Sequence, residues 1–191
     1  NEEIPSAPVI FTKATTAVIG PNAPIISSMD PTNSVDYECE LCFIVSKRAH
    51  KISKIDTFEY IFGYTILNDV TSRYLQQQHN QWFLGKSLDS FAPMGPSIVT
   101  IDELVDVTRA TISTAVNGEE RQKAKIADLI FDIPTLMETL TSTMTLLPGD
   151  IIATGTPAGV GLGFNPPKFL KAGDVVSVNI DAIGCLANPI V

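Results

Sequence analysis

Hydrophobic and polar positions alternate with a period of two along much of the chain, as they do in strands with one buried face. From Asp36 to Ser46 the alternate positions Tyr37, Cys39, Leu41, Phe43 and Val45 are apolar, which predicts one long strand. Tyr64-Thr65-Ile66-Leu67 and Ser97-Ile98-Val99-Thr100 predict two more. Thr108 to Val116 alternates and then meets Asn117-Gly118, a pair that suits a two-residue hairpin because both residues tolerate positive φ. Gly149-Asp150 and Gly173-Asp174 are turns that launch the runs Ile151-Ile152-Ala153 and Val175-Val176-Ser177-Val178. Val9-Ile10-Phe11 and Ala17-Val18-Ile19 are shorter β-prone runs.

Helical spacing is rarer. Asp132 to about Met144 has a capping Asp132, Pro134 in the first turn, and Leu136, Leu140 and Met144 on one face. A second, shorter helix is predicted from Ile55-Asp56 to Phe62, capped by Asp56 and stopped by Gly63. No repeat, low-complexity block or linker interrupts the 191 residues. The expectation is one domain over residues 1–191, α+β but mostly β, with a few peripheral helices.

Composition narrows the function classes. Hydrophobic residues make up 45% and charged residues 18%, a globular balance. The formal net charge is −8 with 13 Lys and Arg and no basic run, which argues against nucleic acid and anionic membranes as partners. No apolar stretch approaches the ~20 residues of a membrane span. Three cysteines do not make a disulfide framework. Cys39 and Cys42 have C-x-x-C spacing, but on a strand they point to opposite faces, so they read as two packed free thiols. Reduced thiols suit an intracellular setting, cytoplasmic or mitochondrial. The chain begins at Asn1 rather than Met, which leaves a targeting segment open.

Four segments carry candidate chemistry. In Asp36-Tyr37-Glu38-Cys39-Glu40-Leu41, Glu38 and Glu40 leave the same face of a strand, with Cβ atoms about 7 Å apart. Asp36 continues that face. Such a cluster repels itself unless a hard divalent cation neutralises it; a solvated acidic edge is the alternative. In Asn68-Asp69-Val70-Thr71-Ser72-Arg73-Tyr74-Leu75-Gln76, Asp69 is a candidate helix cap, and Asp69, Arg73 and Gln76 would share one helical face. That would set a carboxylate beside a guanidinium suited to anions, or make a surface salt bridge. Gly85-Lys86-Ser87-Leu88 shares the end of a P-loop, but Asn80 stands where its first glycine belongs and Pro93 and Pro96 follow. Lys86 is then either an exposed loop lysine or a charge poised for a developing oxyanion. Ala153-Thr154-Gly155-Thr156-Pro157-Ala158-Gly159-Val160-Gly161 has the shape of a backbone-lined anion pocket, or of a plain turn. His50 and His79 read as loop histidines without function, and no G-x-S-x-G elbow occurs.

Taken in order, these segments resemble the fumarylacetoacetate hydrolase family. The resemblance runs from about Pro8 to the C-terminus. It includes Val9-Ile10-Phe11-Thr12-Lys13, the Asp36–Leu41 and Gly63–Val70 stretches, Trp82-Phe83-Leu84-Gly85-Lys86-Ser87, the hairpin at Val116-Asn117-Gly118-Glu119, and Gly149 to Pro157. It implies a mixed β-sandwich roll, a homodimer, and Mg²⁺ or Mn²⁺ (with Ca²⁺ able to take its place) held by Glu38, Glu40 and Asp69. It assigns Lys86 and Arg73 to catalysis, and Gln76, Thr156 and Gly155 to substrate binding. The implied substrates are small 2-oxo or 2,4-dioxo acids. C–C hydrolysis of acylpyruvates through a metal-stabilised enolate is the first expectation. Oxaloacetate-type decarboxylation or keto–enol tautomerisation is the second, and a catalytically silent metal-binding member the third. Two departures are visible. The family's hydrolases carry a lid with a His and a Glu upstream of Phe11-Thr12-Lys13. This chain starts too late to contain it, so residues 1–7 are expected to be a remnant on the C-terminal side of that lid. Ala14 replaces a proline usual after the lysine.

Overall fold

A computed structural model describes residues 5–191. Residues 1–4, part of the expected N-terminal remnant, lie outside the described residues.

The strands are β1 (Val18–Ile19), β2 (Val35–Asp36), β3 (Cys39–Val45), β4 (Ile61–Asn68), β5 (Thr71–Ser72), β6 (Ala92–Thr100), β7 (Thr111–Val116), β8 (Glu119–Lys125), β9 (Ile151–Ala153), β10 (Val175–Ile180) and β11 (Gly184–Pro189). The α-helices are α1 (Arg73–Gln78), α2 (Phe83–Lys86) and α3 (Ile133–Thr143). A five-stranded sheet runs β1-β6-β4-β3-β9 and a four-stranded sheet β11-β10-β7-β8; β2 and β5 pair by themselves. β1 lies parallel to β6 and the other pairs are antiparallel, so the large sheet is mixed. This is the mostly β, α+β architecture that the alternating pattern predicts, and the mixed β-sandwich that the family resemblance implies.

The two sheets close on one core. Leu41, Phe43 and Val45 of β3 and Tyr64 and Ile66 of β4 meet Ile112, Val178, Ile180 and Leu186 of the small sheet. Each such fully buried side chain contributes about 1.5–3 kcal/mol. That apolar core must offset a group of buried charges at its edge. The hairpin at Asn117-Gly118 forms as expected, with φ of 52° and 81°. Helix α3 is also as expected: Asp132 Oδ1 accepts from the Thr135 N–H at 2.8 Å, Pro134 sits in the first turn, and Leu136 and Leu140 are buried.

Several local expectations are corrected. The long strand from Asp36 breaks at Tyr37-Glu38, so β2 and β3 belong to different sheets. Val9-Ile10-Phe11 forms no strand: Val9 and Ile10 are exposed, and the Phe11 ring centroid lies 5.2 Å from Lys86 Nζ. The segment at 55–62 is a 3₁₀ helix over Lys54–Tyr60 with Ser53, not Asp56, at its N-cap. Asp69 is not a helix cap either. Ser72 caps α1, its hydroxyl accepting from Leu75 N–H at 3.3 Å, which frees the Asp69 carboxylate for other partners. Gly85-Lys86 closes the short helix α2 instead of lying in a loop. Cys39 and Cys42 do face opposite sides of β3, into two separate apolar clusters. Burial pushes the Cys39 thiol up to about 12 and raises that of Cys42 as well, so neither is a reactive thiolate. No helix among the described residues is long and apolar enough to cross a membrane.

A carboxylate triad roofed by cationic side chains

The β3–β4 register explains how distant carboxylates meet. Cys39 pairs with Asn68 and Glu40 with Leu67 in the antiparallel ladder. The same register, extended by one pair, sets Glu38 against Asp69. Backbone contacts hold that extension: Asp69 N–H donates to the Glu38 carbonyl at 2.8 Å, and Glu38 N–H donates to Asn68 Oδ1 at 3.0 Å. Alternation then puts Glu38, Glu40 and Asp69 on the sheet face opposite the main core. One carboxylate oxygen from each lies within 4.8 Å of the others, and all three residues are buried.

Cationic groups surround this triad. Lys86 Nζ donates to Glu38 Oε2 and to Asp69 Oδ2, both at 2.7 Å, and the lysine is only 2% exposed. Its expected default as an exposed loop lysine is therefore overturned. Glycine at 85 makes its placement possible: a Cβ there would come within 2.5 Å of the Gln76 backbone nitrogen, so only a bare backbone lets α2 lie against α1. Lys13 Nζ donates to Asp69 Oδ1 and, at 3.1 Å, to the Val70 carbonyl. Arg73 spans two carboxylates, with Nε to Asp36 Oδ2 at 2.8 Å and Nη1 to Glu38 Oε1 at 2.6 Å. Nη1 also donates to Gln76 Oε1 at 3.1 Å, so Arg73 and Gln76 do share one helix face.

Burial dominates the protonation equilibria. It pushes Glu40 up to about 8, with Asp69 and Glu38 adding repulsion. Burial also raises Glu38, although Lys86 and Arg73 pull in the opposite direction. Burial works against the Lys86 charge, but Asp69 and Glu38 outweigh it and hold the ammonium above its ordinary value. In Lys13 burial prevails over Asp69 and lowers the value.

The glycine-rich loop closes the other side. Gly155 N–H donates to Glu40 Oε2 at 2.8 Å, and Gly155 has a φ of +98°. Thr156 Oγ1 accepts from Gln122 Nε2 at 2.8 Å. The buried Gln122 also accepts from Cys39 N–H at 3.1 Å, tying the loop to the strand that carries the glutamates.

The structure thus joins Glu38, Glu40, Asp69, Lys86, Arg73, Gln76 and Gly155 in one contiguous network, with Thr156 beside Gly155. Asp36 does not join the triad; it lies beneath Arg73, because the break before Glu38 turns it away. Lys13, Asn68 and Gln122 were not singled out from sequence. Lys13 and Asn68 lie in segments that carry the resemblance, whereas Gln122 gave no signal. His50 is exposed and approaches the Met144 carbonyl at 3.3 Å. His79 follows α1 in the polar segment, as expected of a loop histidine.

The donor set suits a hard divalent cation. Three buried carboxylates offer oxygen ligands only, and their mutual repulsion is what such an ion relieves.

The fumarylacetoacetate (FAA) hydrolase C-terminal family matches residues 1–191. The chain belongs to the fumarylacetoacetate hydrolase family. It is 49% identical over 188 residues to oxaloacetate tautomerase YisK of Bacillus subtilis, covering 98% of this chain and 62% of that protein. It therefore spans somewhat less than two thirds of that family member. Among solved family structures, a fumarylacetoacetate hydrolase from Exiguobacterium antarcticum has a TM-score of 0.92 at 46% identity, over 95% of this chain and 65% of its own. A 5-carboxymethyl-2-hydroxymuconate delta-isomerase from Mycobacterium smegmatis has a TM-score of 0.88 at 41% identity, over 98% of this chain and 70% of its own.

Proposed function

We propose that the protein is a divalent-metal-dependent enzyme that interconverts the keto and enol forms of a small 2-oxo acid of the oxaloacetate type. The carrying observation is Lys86 Nζ at 2.7 Å from both Glu38 and Asp69, two members of a buried carboxylate triad whose oxygens could hold a metal ion. Together they would stabilise the negative charge that develops on the 2-oxo oxygen during enolisation. The tautomerase and isomerase names among the relatives support the same choice over hydrolysis.

Glu38, Glu40 and Asp69 would hold the ion. When bound, it would supply Lewis-acid stabilisation of negative charge on the substrate's 2-oxo oxygen. Arg73, fixed between Asp36 and Glu38, presents its guanidinium edge to the substrate carboxylate. Gln76 orients that guanidinium and offers an amide to the same carboxylate. Lys86 holds a proton next to the oxygen that becomes the enol hydroxyl. In the net reaction one proton leaves the carbon beside the carbonyl and one arrives at the carbonyl oxygen, so no water is consumed. Gly155 and Thr156 line the loop side of the pocket.

A second proposal concerns assembly. The sheet face that bears the triad continues into an open groove lined by Ile44, Met94, Ile98, Val18 and Ile151. Val18, Ile98 and Ile151 are exposed. A second copy of this chain is the occupant we assign to that face, as the family resemblance implies.

The test of the activity monitors the enol form of oxaloacetate spectrophotometrically, with Mg²⁺ and with EDTA. An acylpyruvate is assayed in parallel for cleavage. Mg²⁺-dependent loss of enol without release of CO₂ is expected. Turnover that survives EDTA refutes the metal role. Acylpyruvate cleavage, with no effect on oxaloacetate, reassigns the protein to C–C hydrolysis, the activity first expected from sequence.

A further inference from the structure

Asp36 has no place in the triad, yet it is completely buried and fully engaged. Its Oδ1 accepts from Gly161 N–H at 2.6 Å and from Tyr37 N–H at 2.9 Å. Its Oδ2 accepts from Leu162 N–H at 2.9 Å and from Arg73 Nε at 2.8 Å. One carboxylate therefore grips both the guanidinium on α1 and the far end of the glycine-rich loop. The near end of that loop is held separately, by Glu40 at Gly155. The approach at Gly161 is so close that a Cβ there would lie 2.6 Å from Asp36 Oδ1 and 2.4 Å from the Lys168 carbonyl.

We propose that Asp36 is a positioning residue: it locks the Arg73 guanidinium to the 155–162 loop, so that the carboxylate clamp and the loop wall of the pocket keep one fixed spacing. The part that concerns substrate rests on the 2-oxo acid activity proposed above. The part that concerns the loop does not.

Geometry makes the isosteric change a sharp one. Both Asp36 oxygens accept from N–H donors. In Asp36→Asn, either orientation of the amide turns its NH₂ group against two donors, so half the grip is lost while volume is kept. Gly161→Ala attacks the same contact from the loop side, pressing on Asp36 Oδ1 and the Lys168 carbonyl without changing the Asp36 carboxylate itself.

Four measurements on the whole chain test this. In Asp36→Asn, hydrogen exchange at the Gly161 and Leu162 amides should speed up about tenfold, as expected when amides lose their acceptor, while Arg73→Ala leaves those amides protected. The KM for oxaloacetate should rise about tenfold with a much smaller change in kcat, and Gly161→Ala should do the same. In an Arg73→Ala background, Asp36→Asn should change kcat/KM by less than about twofold, since the group it positions is gone. Mg²⁺ affinity should stay at the wild-type value, because Asp36 supplies no ligand to the triad. Unchanged exchange at Gly161 and Leu162 overturns the proposal. So does a full, multiplicative Asp36→Asn effect in the Arg73→Ala background, which would mean a general structural role. If the wild-type chain leaves oxaloacetate untouched, the assigned activity fails, and the exchange experiment alone still decides the role of Asp36.

Discussion

At the scale of single residues, the site is a balance of buried charges. Glu38, Glu40, Asp69 and Asp36 face Lys13, Lys86 and Arg73. Removing one member of such a group costs more than the pair contributes, because the partner is left charged and unsolvated. Lys86→Met should therefore destabilise the metal-free protein by about 3–5 kcal/mol, the range for breaking a buried ion pair. Mg²⁺ should restore part of that loss by taking over the carboxylate oxygens left unpaired, and turnover should fall. Thermal melts with and without Mg²⁺ check this; a melting temperature equal to wild type in both would show that Lys86 is not needed to neutralise the triad. Glu40 gives the pH dependence. Its folded value of about 8 lies above its ordinary value of 4.5, so the folded state holds a proton that the unfolded chain has released. Metal-free stability is thus greatest near and below pH 4.5 as far as this group is concerned, and declines as pH rises to about 8. Cation binding must expel that proton. Mg²⁺ affinity should rise from pH 6 to pH 8 with proton release, and Glu40→Ala should abolish binding, both measurable by titration calorimetry in two buffers. A pH-independent affinity would remove Glu40 from the ligand set.

At the scale of elements, sequence carries what period and local chemistry encode. The β7–β8 hairpin and α3 were legible because Asn117-Gly118 and Asp132-Ile133-Pro134 act over a few residues. The two glutamates were legible as a pair for the same reason. Other placements depend on contacts far along the chain. The break at Tyr37-Glu38 is invisible to periodicity, since Tyr37 and Cys39 keep the alternation while packing into different clusters. Strand β11 carries a glycine and a proline and shows no clean pattern, although it pairs with β10 along its whole length. Lys13 lies 56 positions from Asp69, and nothing local ties them. That Asp69 joins Glu38 was expected from family resemblance; only the β3–β4 register gives it a physical cause. Helix α2 is too short to read from its four residues, and its place depends on Gly85. Gly85→Ala should push α2 from α1, withdraw Lys86 from the carboxylates, and lower both melting temperature and turnover. If activity and melting temperature match wild type, the close approach at Gln76 does not position the lysine.

At the scale of the whole molecule, the large sheet has two unlike faces. One is sealed by the small sheet. The other carries the triad at one end, a small apolar cluster of Ala17, Cys42, Leu67 and Ala92 in the middle, and the open groove at the far end. Contiguous exposed apolar surface on a sheet is costly unless something covers it. Sedimentation at micromolar concentration should give a dimer, and Ile151→Lys should shift it towards monomer while α3 and the inner core stay folded. A wild-type monomer would send the groove to some other occupant.

The short run from Asp36 to Glu40 serves three masters in five positions. Asp36 and Tyr37 reach the loop at Gly161 and Gly159, Glu38 meets Lys86 and Arg73, and Glu40 meets Gly155. Each position is assigned by its direction as much as by its chemistry. Losing a single residue here would invert every later side chain and leave carboxylates pointing into oil and aliphatic groups into the pocket. Length at this spot is therefore expected to tolerate change less than composition does, and a scan of one-residue deletions from Asp36 to the end of β3 should find its steepest drop in soluble expression between Asp36 and Glu40.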